Sequence, residues 1–128
     1  MHRNLLFIFL GSGLGGALRY IVGRWIQSLH QSVFPWGTFF VNVAGCLLIG
    51  LIYALLDKGY TLPSEIKLFL TVGLCGGFTT FSTFIHENYL LFQSPRPVIT
   101  LIYAAGSLLA GFLALYAAYF AVNIIWKE

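Results

Sequence analysis

Charge is what this sequence lacks most. Of 128 residues, 9% are charged and 59% are hydrophobic, whereas a soluble domain carries about 25% charged residues. So few charges cannot cover the surface of a soluble domain of this size, which makes the chain an integral membrane protein. Acids are the scarcest: Asp and Glu total 4, and none precedes Asp57. Cation carriers generally need an acid inside the membrane, so the absence favours an anionic or neutral cargo. The basic residues Arg3, Arg19, Arg24, Lys58, Lys67, Arg96 and Lys127 are scattered, with no basic run or basic-aromatic interleaving that would suit nucleic acid. The two cysteines, Cys46 and Cys75, stand alone in apolar segments. Without C-x-x-C spacing or a His/Cys cluster they indicate neither a zinc site nor a disulfide framework and read as small packing residues. No repeat or low-complexity tract is present. The length suits one domain, residues 1–128, with no separate soluble module.

Long apolar runs are abundant. A spanning helix needs about 20 mostly apolar residues, and four segments qualify: Leu5–Ile26, Trp36–Leu56, Ile66–Phe92 and Val98–Trp126. The opening "MHRNLLFIFLGSGLGGALRY" resembles a secretory signal in its basic tip and small residues. Its apolar pattern continues through "IVGRWI", so it is read as a retained first helix. Pro63 and Pro97 are expected at helix starts, and Trp25, Trp36, Tyr60 and Trp126 near the membrane interfaces. Four spans place both termini on one side with Arg3, Lys58, Lys67 and Lys127, facing Arg24 and Arg96 across the membrane, with Arg19 deeper. So weak a bias suits either a fixed topology or insertion in both orientations. In the second case two copies would pair about a two-fold axis in the membrane plane.

The polar residues within the spans carry the functional signal. "GSGLGG" matches G-x-G-x-x-G literally but has no strand before it, so it is not a dinucleotide fingerprint. Gly11 and Gly15 instead offer a flat face for close helix contact. Arg24, beside Trp25, suits an interface. Arg19 is deeper, where a charge costs ~2.5–3.5 kcal/mol at the bilayer centre; it either snorkels or holds positive potential at a vestibule. In "GTFFVNVAGCLLIG", residues 37–50, Asn42 is strongly polar, and either bonds a neighbouring helix or lines a water-filled path. Tyr103, Ser107 and Gly111 share a face of the fourth span. Glu87, with His86, has no second acid or histidine placed to complete a metal or catalytic set; it either flanks a pore mouth or pairs with an arginine.

"CGGFTTFSTF", residues 75–84, is the most unusual stretch. Gly76-Gly77 weakens the helix, and a break at membrane depth is tolerated only where it is buried in protein or lines a cavity. On helical spacing Phe81 and Phe84 share a face beside a hydroxyl stripe of Thr79, Ser82 and Thr83. Phenylalanine edges are electropositive; with hydroxyl donors alongside, they suit a small, strongly hydrated anion.

Three stretches closely resemble the Fluc (CrcB-type) fluoride channels: "GSGLGGALRY", the G-T-x-x-x-N-x-x-G pattern of the second span, and "GLCGGFTTFSTF", the most specific. Ser12 and Gly16 depart from the glycine and alanine usual there, a small-for-small change that bears on packing. The resemblance implies an all-α membrane fold of four helices with the third broken near mid-membrane. It further implies an antiparallel, dual-topology homodimer with two fluoride pores in the cell membrane. Phe81 and Phe84 would present ring edges to fluoride and Asn42 would hydrogen-bond it. Ser82 or Thr83 would belong to a polar track, and Tyr103 and Ser107 would support the phenylalanines or the pore. Arg19 would lie at a vestibule and Glu87 at a pore end. The break around Gly76–Thr79 would lie on the dimer axis, where the carbonyls of Gly76 and Thr79 from both subunits would hold a structural sodium ion. A small proton-coupled antiporter would want an acid deep in the first helix, which is absent. A non-transporting assembly subunit leaves the glycine, hydroxyl and phenylalanine pattern unexplained, and an intramembrane enzyme lacks a nucleophile–base pair.

Overall fold

The computed structural model describes residues 1–127. Its elements, all helical, are α1 (His2–Ser28), α2 (Trp36–Asp57), α3 (Ser64–Leu68), a π-helical segment (Phe69–Cys75), α4 (Gly76–Phe78), α5 (Phe81–Phe92) and α6 (Val98–Ile125). Among the described residues four helical stretches are long and apolar enough to cross a membrane: His2–Ser28, Trp36–Asp57, Ser64–Phe92 and Val98–Ile125. They coincide with the four expected spans to within a few residues. The chain is a multi-pass membrane protein.

Proline sets three of the starts. Pro35, Pro63 and Pro97 directly precede α2, α3 and α6, where the missing N–H costs no helical hydrogen bond. Between α2 and α3 the chain turns at Gly59, the one described residue with positive φ, at 92°. Arg3 pairs with Glu65 at 2.8 Å, tying the start of α1 to α3.

The third span is irregular from its first turns. Thr71 Oγ1 donates to the Lys67 carbonyl at 2.8 Å, competing with the helix's own N–H for that acceptor. The ladder widens through Phe69–Cys75, and the Gly76 N–H reaches back to Thr71 O, a π-type bond. Gly76 itself is helical at φ −64°, ψ −37°, contrary to the expectation that the glycine pair loosens the chain. The extended residues lie further on: Thr79 has φ −85°, ψ 159°, and Thr80 has φ −149°, ψ 121°. Two consecutive β-branched residues favour extended backbone, which places the departure at Thr79-Thr80. Thr79 N–H and Oγ1 both donate to Cys75 O, at 3.0 and 2.9 Å. The hydroxyl stripe expected of a continuous helix is therefore divided, with Thr79 turned back onto the preceding turn.

The glycines serve packing. A Cβ at Gly15 would overlap Leu74 O, and one at Gly77 would stand 2.6 Å from Ser12 O, so α1 and the third span cross backbone to backbone. Gly11 and Gly15 are the buried residues of α1, the flat face their spacing predicts. α2 and α6 pack along their length, with Gly50 against Ala118 and Cys46 against Gly111. Where α5 meets α6 the core is aromatic: Phe84 and Phe34 lie 5.0 and 5.2 Å, centroid to centroid, from the fully buried Tyr103.

Candidate functional site

The motif residues of α2 face the third span in order. A Cβ at Gly45 would overlap the Thr79 methyl, so this glycine leaves room for the extended turn. One turn earlier, Asn42 engages Thr80 at both ends of its amide. Oδ1 accepts the Thr80 N–H at 2.7 Å, and Nδ2 donates to Thr80 O at 3.0 Å. The side chain acts as a one-residue strand, supplying the ladder bonds an extended residue needs. In a continuing helix the Thr80 N–H would close on Gly76 O; its diversion to Asn42 leaves that carbonyl among the unpaired last carbonyls of a helix end. One turn earlier again, Thr38 Oγ1 donates to Glu87 Oε1 at 2.7 Å, and Tyr103 OH donates to Oε2 at 2.7 Å. Glu87 thus meets two hydroxyls rather than an arginine.

Thr80 also starts α5. Its Oγ1 accepts the Thr83 N–H at 3.3 Å, capping the helix, and lies 3.0 Å from Thr83 Oγ1.

Two cavities flank this turn. The first, of about 360 Å³, brings together Asn42, Gly76, Thr79, Phe81, Phe84 and Ser107. The two phenylalanine rings are 6.1 Å apart and tilted by 38°. Phe84 is buried at 8% exposure, whereas Phe81 is 73% exposed. Ser107 Oγ is buried without a hydrogen-bond partner; it does not bond its own helix, the bland alternative for a serine in such a position. The second cavity, of about 310 Å³, is lined by Arg19, Arg24, Thr38 and Thr83, among others, and by no acidic side chain. Thr80 lines both. Tyr103 and Glu87 stand behind Phe84 as one hydrogen-bonded unit, and Ser82 is exposed and lines neither cavity. No group of three or more His, Cys, Asp or Glu able to hold a metal occurs among the described residues; the sodium ligands expected at Gly76 and Thr79 would be backbone carbonyls.

A sequence model of the family described as CrcB-like protein, Camphor Resistance (CrcB), matches residues 6–119. This chain belongs to the CrcB-like family. Similar curated proteins include one from Phocaeicola vulgatus, 46% identical over 111 residues, covering 87% of this chain and 91% of the relative. A Thermus thermophilus protein is 45% identical over 117 residues, 91% of each chain, and a Flavobacterium psychrophilum protein is 44% identical over 112 residues, 88% of this chain and 90% of the relative. Each of the three is named a fluoride-specific ion channel FluC.

Of the site residues expected from the sequence of this CrcB-like chain, Asn42, Gly76, Thr79, Phe81, Phe84 and Ser107 line the first cavity and Arg19 and Thr83 the second, whereas Ser82, Tyr103 and Glu87 line neither; two other residues carry more than the sequence signals. Thr80 stands outside the expected hydroxyl stripe, yet its position as the residue before the helical run Phe81-Ser82-Thr83 is the usual signature of an N-cap. Thr38 stood in the α2 motif with no role, and nothing local to it signals a partner 49 residues away.

Proposed function

We propose that this chain is a fluoride-selective channel, not an enzyme, that lets fluoride leave the cytoplasm passively. The observation that carries the reading is the first cavity. There two phenylalanine rings meet the Asn42 amide and the unpartnered Ser107 hydroxyl beside an extended turn. Ring edges and neutral donors attract an anion without a fixed cation to trap it. The names of the similar proteins support the same cargo. Hydrogen fluoride enters cells uncharged and releases its proton inside. An inside-negative potential then drives fluoride out at ~2.3 kcal/mol per 100 mV.

In this reading the working unit is an antiparallel, dual-topology homodimer with two pores, each chain forming a single channel domain. Phe81 and Phe84 present their edges to fluoride, Asn42 offers the N–H not engaged by Thr80, and Ser107 offers its hydroxyl. Of Ser82 and Thr83, Thr83 lines the second cavity and continues the polar track. Arg19 holds positive potential at the vestibule of the second cavity, Glu87 lies near one pore end, and Tyr103 supports Phe84 from behind. The third helix is broken near mid-membrane at Thr79-Thr80. The carbonyls of Gly76 and Thr79, pooled from two subunits across the dimer axis, would hold a sodium ion. The fit rests on Gly76 O, which has lost its helical partner. A bound cation would balance those carbonyl dipoles and add positive potential near the pores.

The test is ion efflux from liposomes carrying the purified protein, with fluoride and chloride followed in parallel. Rapid fluoride loss without chloride loss is expected, strongly reduced in Phe81→Ile and Phe84→Ile. Absence of fluoride loss from a folded dimer would overturn the function. Fluoride loss unchanged in both variants would leave the channel and remove the rings from its pore.

A further inference from the structure

Phe84, one of the two rings of the first cavity, is backed by Tyr103, whose ring centroid lies 5.0 Å away. Tyr103 is fully buried and pinned at two places. Its hydroxyl donates to Glu87 Oε2 at 2.7 Å, and Phe34 meets its ring edge-on, at 5.2 Å and 81°. Phe34 belongs to the loop between α1 and α2, outside the spans. Neither Phe34 nor Tyr103 lines either cavity, so each reaches an ion there only through Phe84. We infer that Phe34 is a positioning residue for the pore. Seated by Gln27, it fixes Tyr103 and, through it, the angle at which Phe84 enters the first cavity, a role that rests on the fluoride reading above.

A loop residue can hold such a post only if its own backbone is fixed. Pro35 offers no capping side chain at the start of α2. The Gly37 N–H, one of the first-turn donors that a helix leaves free, is accepted instead by Gln27 Oε1 at 3.1 Å. Nε2 of the same amide donates to Ser32 O and Phe34 O, each at 3.4 Å. The Phe34 N–H donates to Ser32 Oγ at 3.1 Å, and the Trp36 N–H donates to Phe34 O at 2.9 Å. A Cβ at Gly37 would overlap Gly23 O, so the end of α1 and the start of α2 meet backbone to backbone. Trp36 and Phe39 close around the Phe34 ring at 4.5 and 5.7 Å. Packed surroundings relax only partly when a side chain is deleted. Without Phe34, Tyr103 stays tethered at Glu87 while its ring gains room to swing, and Phe84 loses the surface that sets its 38° tilt to Phe81. A ring edge attracts an anion only when turned toward it. Rotation of Phe84 therefore weakens the path without changing any residue that lines it.

Two readouts test this, fluoride efflux from liposomes and the 19F resonance of a 4-fluorophenylalanine label at position 84. Phe34→Ala is expected to slow efflux about tenfold and Gln27→Met about threefold, the range of couplings carried through packed side chains. Both should shift or split the label's resonance, Phe34→Ala the more. Gly50→Ala, which crowds Ala118 where α2 meets α6 away from both cavities, serves as the packing control. It should lower the melting temperature yet leave the resonance in place and efflux within about twofold of the parent, because packing strain alone does not rotate Phe84. Parent-like efflux from folded Phe34→Ala overturns the inference and leaves the channel in place. An unmoved resonance in Phe34→Ala also overturns it, and so does equal slowing in Gly50→Ala. Should Phe34→Ala fail to fold, Phe34→Leu, which keeps bulk without the ring edge, decides by the same readouts. Absence of efflux from the parent chain overturns the fluoride reading, whereas the resonance still reports whether Phe34 sets the Phe84 ring.

Discussion

Asn42 shows how much one side chain can be asked to do. Both ends of its amide bond the backbone of a residue 38 positions away, and the turn at Thr80 has no other described partner for its N–H. Asn42→Asp keeps the acceptor but turns a carboxylate oxygen toward Thr80 O. A buried carbonyl without its donor costs about 1–3 kcal/mol. Thermal unfolding in detergent should show that loss, and efflux should fall with it. Tyr103 makes a parallel case. Tyr103→Phe keeps the contacts with Phe34 and Phe84 but takes from Glu87 one of its two hydroxyl donors, again a loss of about 1–3 kcal/mol. Tyr116→Phe, altering a side chain 66% exposed, should change the unfolding temperature little.

At the scale of the element, the decisive contact is the crossing of α1 over the π-helical segment and α4. Gly15→Ala would drive a methyl into Leu74 O and Gly77→Ala into Ser12 O; because the obstruction is backbone, overpacking of about 1–3 kcal/mol is expected for each. Gly13→Ala meets nothing within 4 Å and should be neutral or stabilising by up to ~1 kcal/mol, through helix propensity alone. Melting curves of the three variants in one detergent check the contrast. The four spans and this glycine face were legible in the sequence because hydropathy and i, i+4 spacing are local properties. The sequence points to the glycine pair as the weak point, two or three residues before the extended turn; close backbone approach holds Gly77 in its helix, while the Thr79-Thr80 pair leaves helical geometry. The Asn42–Thr80 and Thr38–Glu87 bonds were not legible, since each joins residues whose proximity exists only after α2 and α5 have packed. For the same reason the choice between a helix–helix bond and a pore-lining role for Asn42 stayed open.

The whole molecule exposes 8489 Å², against about 6,800 Å² for a compact soluble monomer of its mass. Much of that surface is apolar, including Phe9, Phe112, Leu113 and Phe120, as expected of a chain solvated by lipid. If both orientations are needed, charge at the loops becomes a handle. Thr61→Lys with Leu62→Lys loads one side of the membrane, and Gln31→Lys with Ser32→Lys loads the other. By the positive-inside bias, each pair should drive a reporter fused at the C-terminus to a single, opposite side. Cells expressing either variant alone should lose fluoride resistance, and cells expressing both should recover it.

The exposed ring of Phe81 has a consequence of its own. A solitary chain in a bilayer presents that ring, and the mouth of the cavity beside it, to acyl chains. If the working unit is the proposed dimer, lipid and the second subunit compete for one surface, and dilution within the membrane plane decides the winner. Transport per chain should therefore fall as protein is diluted into more lipid, with a midpoint that reports the two-dimensional dissociation constant, and shorter or branched acyl chains that fit the cavity mouth should shift it.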